Sequence, residues 1–317
     1  MLALALQGTA LGLTFAPCTS PAAEARASDS QGTRLRRAAD LGNTDEIRAL
    51  IRENADLNST GRRGTTALMI AAQKGHVDVV RLLLSNRADP NLTDPHGRTA
   101  LFHACESRHP DAARTLLNNR ADPNKADNNG KTPLLAACAA GNLDLARTLL
   151  NNRADPNKAD NNGTTPLMAA VEAKHQDILR MLLTHRANVN ARDKVGSWTA
   201  LMIASDLGYE EMVRTLINNR AEVDAAHDDG TTPLMFASAQ GHLGVVQLLL
   251  RHRANVNAAT RLGVTALMHA SDQGHRDVVK ALLKAGADAN AQDRAGTSAK
   301  DVARTEDIRA LLTKWSR

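Results

Sequence analysis

The sequence predicts an all-α solenoid of about nine helix-turn-helix units joined by β-turn fingers. The first observation is an eight-residue motif, Gly-Lys-Thr-Pro-Leu-Leu-Ala-Ala at 130–137, which recurs every 33 residues and once after 34. The second is an apolar stretch with helical spacing that follows each copy. A fixed period of about 20–50 residues indicates one small structural unit stacked on copies of itself. The copies begin at Gly64, Gly97, Gly130, Gly163, Ser197, Gly230 and Gly263.

Each copy predicts two short helices, as the unit from Gly64 shows. Thr66 suits the N-cap of the first helix, because its hydroxyl can accept a free backbone N–H of the first turn. Gly75 suits the left-handed residue that ends this helix. The second helix runs from about His76 to Ser85 and carries a broad apolar stripe. One such pair cannot bury its own apolar face, so we expect stability to come from contacts between neighbouring units.

The repeat sets the predicted domain boundaries. Residues 31–63 form a degenerate N-terminal cap unit, 64–295 form seven full repeats, and 296–317 form a truncated C-terminal cap. In that last unit Lys300 and Asp301 replace apolar residues. We therefore expect its first helix to face water on one side.

Residues 1–30 differ from the array and are expected to be a disordered leader or a targeting peptide. The stretch 1–16 is apolar, but it lacks the basic residues that begin a signal peptide. It is also shorter than the roughly 20 residues needed to span a bilayer.

Charge and cysteine content limit the class of protein. The net charge of +5 is spread over a long chain without a run of five like charges, which does not favour a nucleic-acid binder. Cys105 and Cys138 occupy equivalent positions in adjacent units and are expected to be small buried residues. Three cysteines give no disulfide framework, which favours a cytoplasmic location. The apolar N-terminus leaves a secretory or organelle signal open.

The sequence contains no pattern that indicates catalysis, a cofactor or a metal. Gly130-Lys131-Thr132 resembles the end of a phosphate loop, but Lys125 stands where the loop needs glycine. His103, Cys105 and His109 lack a fourth ligand for zinc. We therefore predict a non-enzymatic protein without cofactor, metal site or small-molecule substrate.

The repeated unit resembles the ankyrin repeat, through its Thr-Pro-Leu start, its Gly-His between helices and its Ala-Asp-x-Asn exit. The resemblance covers about residues 31 to 312. It implies a protein–protein interaction scaffold that holds one or more partner proteins on its concave face and finger tips. By position in that family, the candidate partner-binding residues are His96, Arg98, Glu106, Lys131, Lys194, Trp198, Asp206, Tyr209, Arg261 and Asp272.

Two departures from the family pattern leave alternatives open. Arginine replaces the usual glycine after most second helices, either as an inherited residue that suits the negative end of the helix dipole or as a basic ridge that binds an acidic partner. These residues, the arginine column, are Arg87, Arg120, Arg153, Arg186, Arg220 and Arg253. In the 34-residue unit, Trp198 is either a binding anchor or a residue that packs on the enlarged finger.

Two other functions compete with the scaffold. The arginine column could bind an anionic nucleic acid or membrane, although the mixed signs of the candidate residues favour a specific protein surface. The chain could also be the targeting subunit of an enzyme complex. The sequence identifies neither the partner nor the oligomeric state.

Overall fold

The computed structural model describes residues 21–316, with side chains described from residue 31 onward. The first helices of the units are α1 (Pro21–Leu41), α3 (Ala67–Lys74), α5 (Ala100–Glu106), α7 (Pro133–Ala139), α9 (Pro166–Glu172), α11 (Ala200–Asp206), α13 (Pro233–Ala239) and α15 (Ala266–Gln273). The second helices are α2 (Thr44–Arg52), α4 (Val77–Ser85), α6 (Pro110–Asn118), α8 (Leu143–Asn151), α10 (Gln176–Thr184), α12 (Glu210–Asn218), α14 (Leu243–Arg251) and α16 (Arg276–Lys284). A single helix, α17 (Glu306–Trp315), follows them. Over the described residues the fold is an all-α repeat solenoid, as predicted.

The expected leader falls largely outside the described part of the chain. Residues 1–20 are not described, and α1 begins at Pro21, so the backbone of residues 21–30 is helical. The boundary at residue 31 and the nature of the leader stay predictions.

The last unit differs from the expectation, because its first helix is replaced by a turn at 298–301. The Asp301 carboxylate accepts hydrogen bonds from the Ser298 N–H at 2.9 Å and the Ser298 hydroxyl at 2.6 Å. Lys300 and Asp301 stand where the preceding unit has Leu267 and Met268. Without those apolar side chains the segment has little to bury, and the local polar bonds are preferred.

The core runs continuously along the array between the two layers of helices. Each first helix packs on the first helices of its neighbours and on its own second helix, and second helices pack on second helices. In α7 the whole stretch from Pro133 to Cys138 is buried. The side chains there are small, so the helices approach closely, and the larger leucines come mainly from the second helices.

Threonine caps fix the start of the first helices, as the sequence predicts. In each of the seven repeats the threonine hydroxyl accepts the N–H three residues later, at 3.1–3.4 Å. These caps are Thr66, Thr99, Thr132, Thr165, Thr199, Thr232 and Thr265. Gly75 ends α3 with φ of +73°, the left-handed conformation expected of it.

A carboxylate closes most of the fingers. In the finger from Asp127, the Asp127 carboxylate accepts the N–H groups of Asn129 and Lys131. In the 34-residue unit Asp193 accepts the N–H groups of Val195 and Trp198 instead. The same cap therefore spans one more residue, which is how the fold accommodates the insertion.

From the finger at Asp127 onward, a backbone hydrogen bond ties each finger to the one before it. The N–H of Asn161 donates to the carbonyl of Asn129 at 2.9 Å, and the N–H of Lys194 donates to the carbonyl of Asn162 at 2.8 Å. The finger tips are thus held in a row, and neighbouring finger side chains have fixed spacing.

A second ladder of hydrogen bonds joins the loops that follow the second helices. The Asn124 amide donates to the carbonyl of Arg153 at 3.0 Å and accepts the N–H of Asp155 at 2.7 Å. Asn91 and Asn257 make the equivalent pairs in their units. These bonds reach from one unit into the next, so they hold the units in register.

The arginine column adopts the left-handed conformation at all six positions, with φ between 63° and 69°. The side chains are exposed, and within the described residues they make no hydrogen bond or ion pair. A residue with a Cβ costs about 1–2 kcal/mol in this conformation. Each arginine of the column therefore carries local backbone strain. The equivalent residue of the seventh repeat is Gly286, whose φ of +91° costs glycine little.

This strain predicts opposite effects for two matched substitutions. Arg153→Gly should raise the free energy of unfolding by about 1 kcal/mol, because glycine tolerates the left-handed backbone. Gly286→Arg should lower it by a similar amount, since a Cβ there meets no neighbouring atom and only the strain changes. Urea denaturation of the two variants and the wild type measures both; equal stability of all three would contradict the strain.

Candidate functional site

The fingers and first helices together form one face of the array, here called the inner face. Three open grooves lie on it, each lined by a finger and by first-helix side chains. In chain order they are the N-terminal groove around Arg98, the central groove around Trp198 and the C-terminal groove around Asp272.

The N-terminal groove brings together four of the predicted residues. It has a volume of about 420 Å³, and its lining includes His96, Arg98, Glu106 and Lys131. Arg98 pairs with the Glu106 carboxylate at 3.3 Å and with the buried Asp94 carboxylate at 3.2 Å. The groove thus carries both signs of charge in fixed positions.

A buried hydrogen bond between a histidine and a carboxylate lies beneath this groove. The His103 ring lies 3.1 Å from the Asp94 carboxylate, and both side chains are almost fully buried. Burial disfavours the charged form of Asp94, but the N–H groups of Arg98 and His96 and the nearby cations outweigh it and lower its pKa. Asp94 therefore stays charged and holds both Arg98 and His103 in place.

The central groove contains Trp198 and Asp206 and also measures about 420 Å³. It lies between the finger of the 34-residue unit and the helices α9 and α11. Its apolar lining includes two exposed side chains, Val195 at the finger tip, 68% exposed, and Leu207 after α11, 40% exposed.

Trp198 packs against the next unit rather than standing free. Its ring stacks on Phe236 with the centroids 4.6 Å apart and meets the edge of His227 at 5.5 Å. His227 is fixed by the Asp229 carboxylate at 2.9 Å. Burial disfavours the charge on Asp229, but hydrogen bonds from Thr231 and His227 outweigh it and hold its pKa at about 2. Trp198 is half-buried, so the packing leaves part of its ring on the groove.

The remaining predicted residues lie apart from these two grooves. Tyr209 lines a different groove at the turn between α11 and α12, with the Lys174 ammonium 4.9 Å from its ring centroid. Asp272 lines the C-terminal groove beside His269. Lys194 and Arg261 lie exposed on fingers, and their side chains make no hydrogen bond or ion pair among residues 31–316.

Sequence reasoning missed the exposed aliphatic residues of the inner face. Val195 and Leu262 occupy equivalent finger-tip positions, and Leu262 is 65% exposed. Other units carry arginine, histidine, asparagine, aspartate or alanine there, so a large aliphatic residue in a turn was the available signal. Leu207 likewise stands where the other full repeats have lysine, serine, alanine or glutamine, and only the N-terminal unit shares a leucine there, Leu41.

The two array cysteines are buried and free. Burial raises the pKa of the Cys138 thiol to about 12 and raises that of Cys105 as well. At neutral pH both are therefore protonated and poorly reactive. Within the described residues no cluster of three or more histidine, cysteine, aspartate or glutamate side chains is placed to hold a metal ion.

Comparison with known families agrees with this architecture. A family model described as "Ankyrin repeats (3 copies)" matches residues 35–127, 119–193, 162–227 and 201–293. The chain belongs to the ankyrin repeat family. No curated protein matches it significantly. Ankyrin repeats are generally protein–protein interaction modules, and ankyrin domains are typically non-catalytic.

No described helix of this ankyrin protein is both long enough and apolar enough to cross a membrane.

Two histidines of the inner face, the buried His103 and the half-buried His269, predict that stability depends on pH. Burial lowers the pKa of His103; the Arg98 charge lowers it further, and the Asp94 charge raises it in part. Burial also lowers the pKa of His269, although the charges of Asp272 and Asp229 raise it in part. As the pH falls below about 6.5, the unfolded chain takes up protons that the folded chain resists, so stability should fall. NMR titration of both imidazoles should give midpoints below 6.5. Midpoints at or above that value would show that burial does not dominate.

Proposed function

We propose that this ankyrin protein is a non-catalytic scaffold that binds a partner protein on its inner face. One observation carries the proposal: the inner face exposes aliphatic side chains, among them Val195 and Leu207, next to grooves lined by fixed charges. Exposed apolar surface bordered by polar groups is typical of protein interaction sites.

The arrangement of charges supports a protein partner over a uniform polyanion. The N-terminal groove holds Arg98 and Lys131 beside Glu106 and Asp127. A polyanion would be repelled by these carboxylates, whereas a folded protein surface can present both signs in matching positions. The buried, protonated thiols of Cys105 and Cys138 are consistent with a reducing compartment such as the cytoplasm.

The arginine column supports one alternative, an anionic partner. Its six guanidinium groups are exposed and have no ion pair among the described side chains. In three units, however, an exposed aspartate follows the arginine by two residues: Asp89, Asp122 and Asp155. These carboxylates reduce the local positive potential, so we place the partner on the inner face.

Quantitative mass spectrometry of proteins captured from native lysate tests the choice of face. The inner-face variant combines Lys131→Glu, Lys194→Glu and Arg261→Glu. The matched control places the same charge change on second helices, as Arg147→Glu, Arg180→Glu and Lys280→Glu. All six side chains lack an ion pair within the described structure, so the loss of folding stability should be small.

The inner-face variant should lose most specific partners, and the control should keep them. A third variant, Arg87→Glu, Arg120→Glu and Arg153→Glu, tests the arginine column. If only this third variant loses partners, and does so in a salt-sensitive way, the anionic-partner alternative replaces our proposal. Equal partner sets for all variants would contradict binding through any of these surfaces.

A further inference from the structure

The central groove has more carboxylates in its lining than either of the other two grooves. Three carboxylates line it, from Glu172, Asp193 and Asp206, and no lysine, arginine or histidine does. The N-terminal groove, by contrast, contains Arg98 and Lys131 beside two carboxylates. The C-terminal groove contains two carboxylates, from Asp272 and Asp293, beside His269, whose pKa is lowered by burial. The central groove therefore carries the most negative charge of the three grooves, in a chain whose net charge is +5.

Two of these carboxylates have capacity for a further partner. Glu172 is exposed and makes no hydrogen bond or ion pair among residues 31–316. The Asp206 carboxylate accepts one hydrogen bond, from the amide of Gln240 at 3.0 Å, and has no ion pair in the described structure. The cation nearest in sequence to Glu172, Lys174, is held over the Tyr209 ring and does not line the groove.

The rest of the groove is apolar. Met168 forms part of its lining with Ile203 and the half-buried Trp198, and the exposed Val195 and Leu207 border it. Its volume of about 420 Å³ lies in the range of small-ligand sites, about 300–1,000 Å³. It is an open groove rather than an enclosed cavity, which suits a chain segment that continues beyond it at both ends.

We infer that the central groove binds a segment of a partner protein in which an aliphatic or aromatic side chain lies next to a lysine or arginine. The apolar side chain contacts Trp198, Ile203 and Leu207. The cation pairs with Glu172 and Asp206, which supply the complementary charge. This inference rests on the proposed scaffold function and narrows it to one groove and one class of ligand.

A random twelve-residue peptide library displayed on phage and selected on the immobilised full-length chain provides the probes. Enriched sequences should share a lysine or arginine beside a large apolar residue. Synthetic fluorescent peptides of those sequences are then titrated with the full-length chain, and binding is measured by fluorescence anisotropy. Enriched sequences that lack a cation would overturn the inference.

The groove variant Glu172→Gln/Asp206→Asn should bind these peptides on the order of tenfold more weakly. The control Asp144→Asn/Asp177→Asn makes the same charge change on second helices and should bind as the wild type does. Leu207→Ser, at an exposed position, should also weaken binding while leaving the melting temperature nearly unchanged. Wild-type binding should weaken as salt is added, and binding by the groove variant should respond less.

Unchanged affinity in both the carboxylate and the Leu207 variants would overturn the inference. If the inner-face charge variant still loses its captured proteins in that case, the scaffold function stands and only the assignment of this groove fails. A dimer in analytical ultracentrifugation that the carboxylate variant dissociates would make a second copy the occupant, and would equally overturn the inference.

Discussion

The structure depends on burial of small apolar side chains between neighbouring units. A single pair of helices is too short to enclose its own apolar face, and each first helix from α3 to α13 is covered on both sides by the first helices of adjacent units. The alanines of these helices allow close approach. Every other feature of the array follows from this one-dimensional stacking.

Stacking also explains why the polar contacts between units recur with the period of the repeat. Asparagine amides join successive loops, and backbone bonds join successive fingers, each reaching one unit along the chain. A residue that packs well in one unit also packs well in the next. Duplication of a unit therefore repeats its strained residues as well as its stabilising contacts. The left-handed arginines are an example, because the same costly conformation recurs in six units.

Much of this could be predicted from the sequence because the determinants are local. The threonine caps, the left-handed Gly75 after the first helix and the burial of Cys105 and Cys138 each depend on a few neighbouring residues. The turn at 298–301 was not predicted. It forms because the hydrogen bonds from Ser298 to the Asp301 carboxylate are preferred over a helix that would have few apolar side chains to bury. Trp198 illustrates the other limit: its stacking partner, Phe236, belongs to a different unit, and no local pattern indicates which rings meet.

The same distinction applies to the candidate site. The positions of binding residues in the ankyrin family correctly indicated four residues that line one groove: His96, Arg98, Glu106 and Lys131. They did not indicate that Tyr209 and Trp198 line different grooves. The features that distinguish the central groove are its exposed aliphatic border and a lining without lysine, arginine or histidine, and both arise from residues that vary between units. In a repeat protein, what units share determines the fold, and what one unit changes determines what it can bind.

Hydrogen exchange of the intact chain, followed by mass spectrometry, tests most directly whether the units stabilise one another. Because interior units have two neighbours and the ends have one, amide protection should be highest in α7, α9 and α11 and should decline towards α17. Uniform protection along the array, or protection that is highest at the C-terminal end, would contradict stabilisation by neighbouring units.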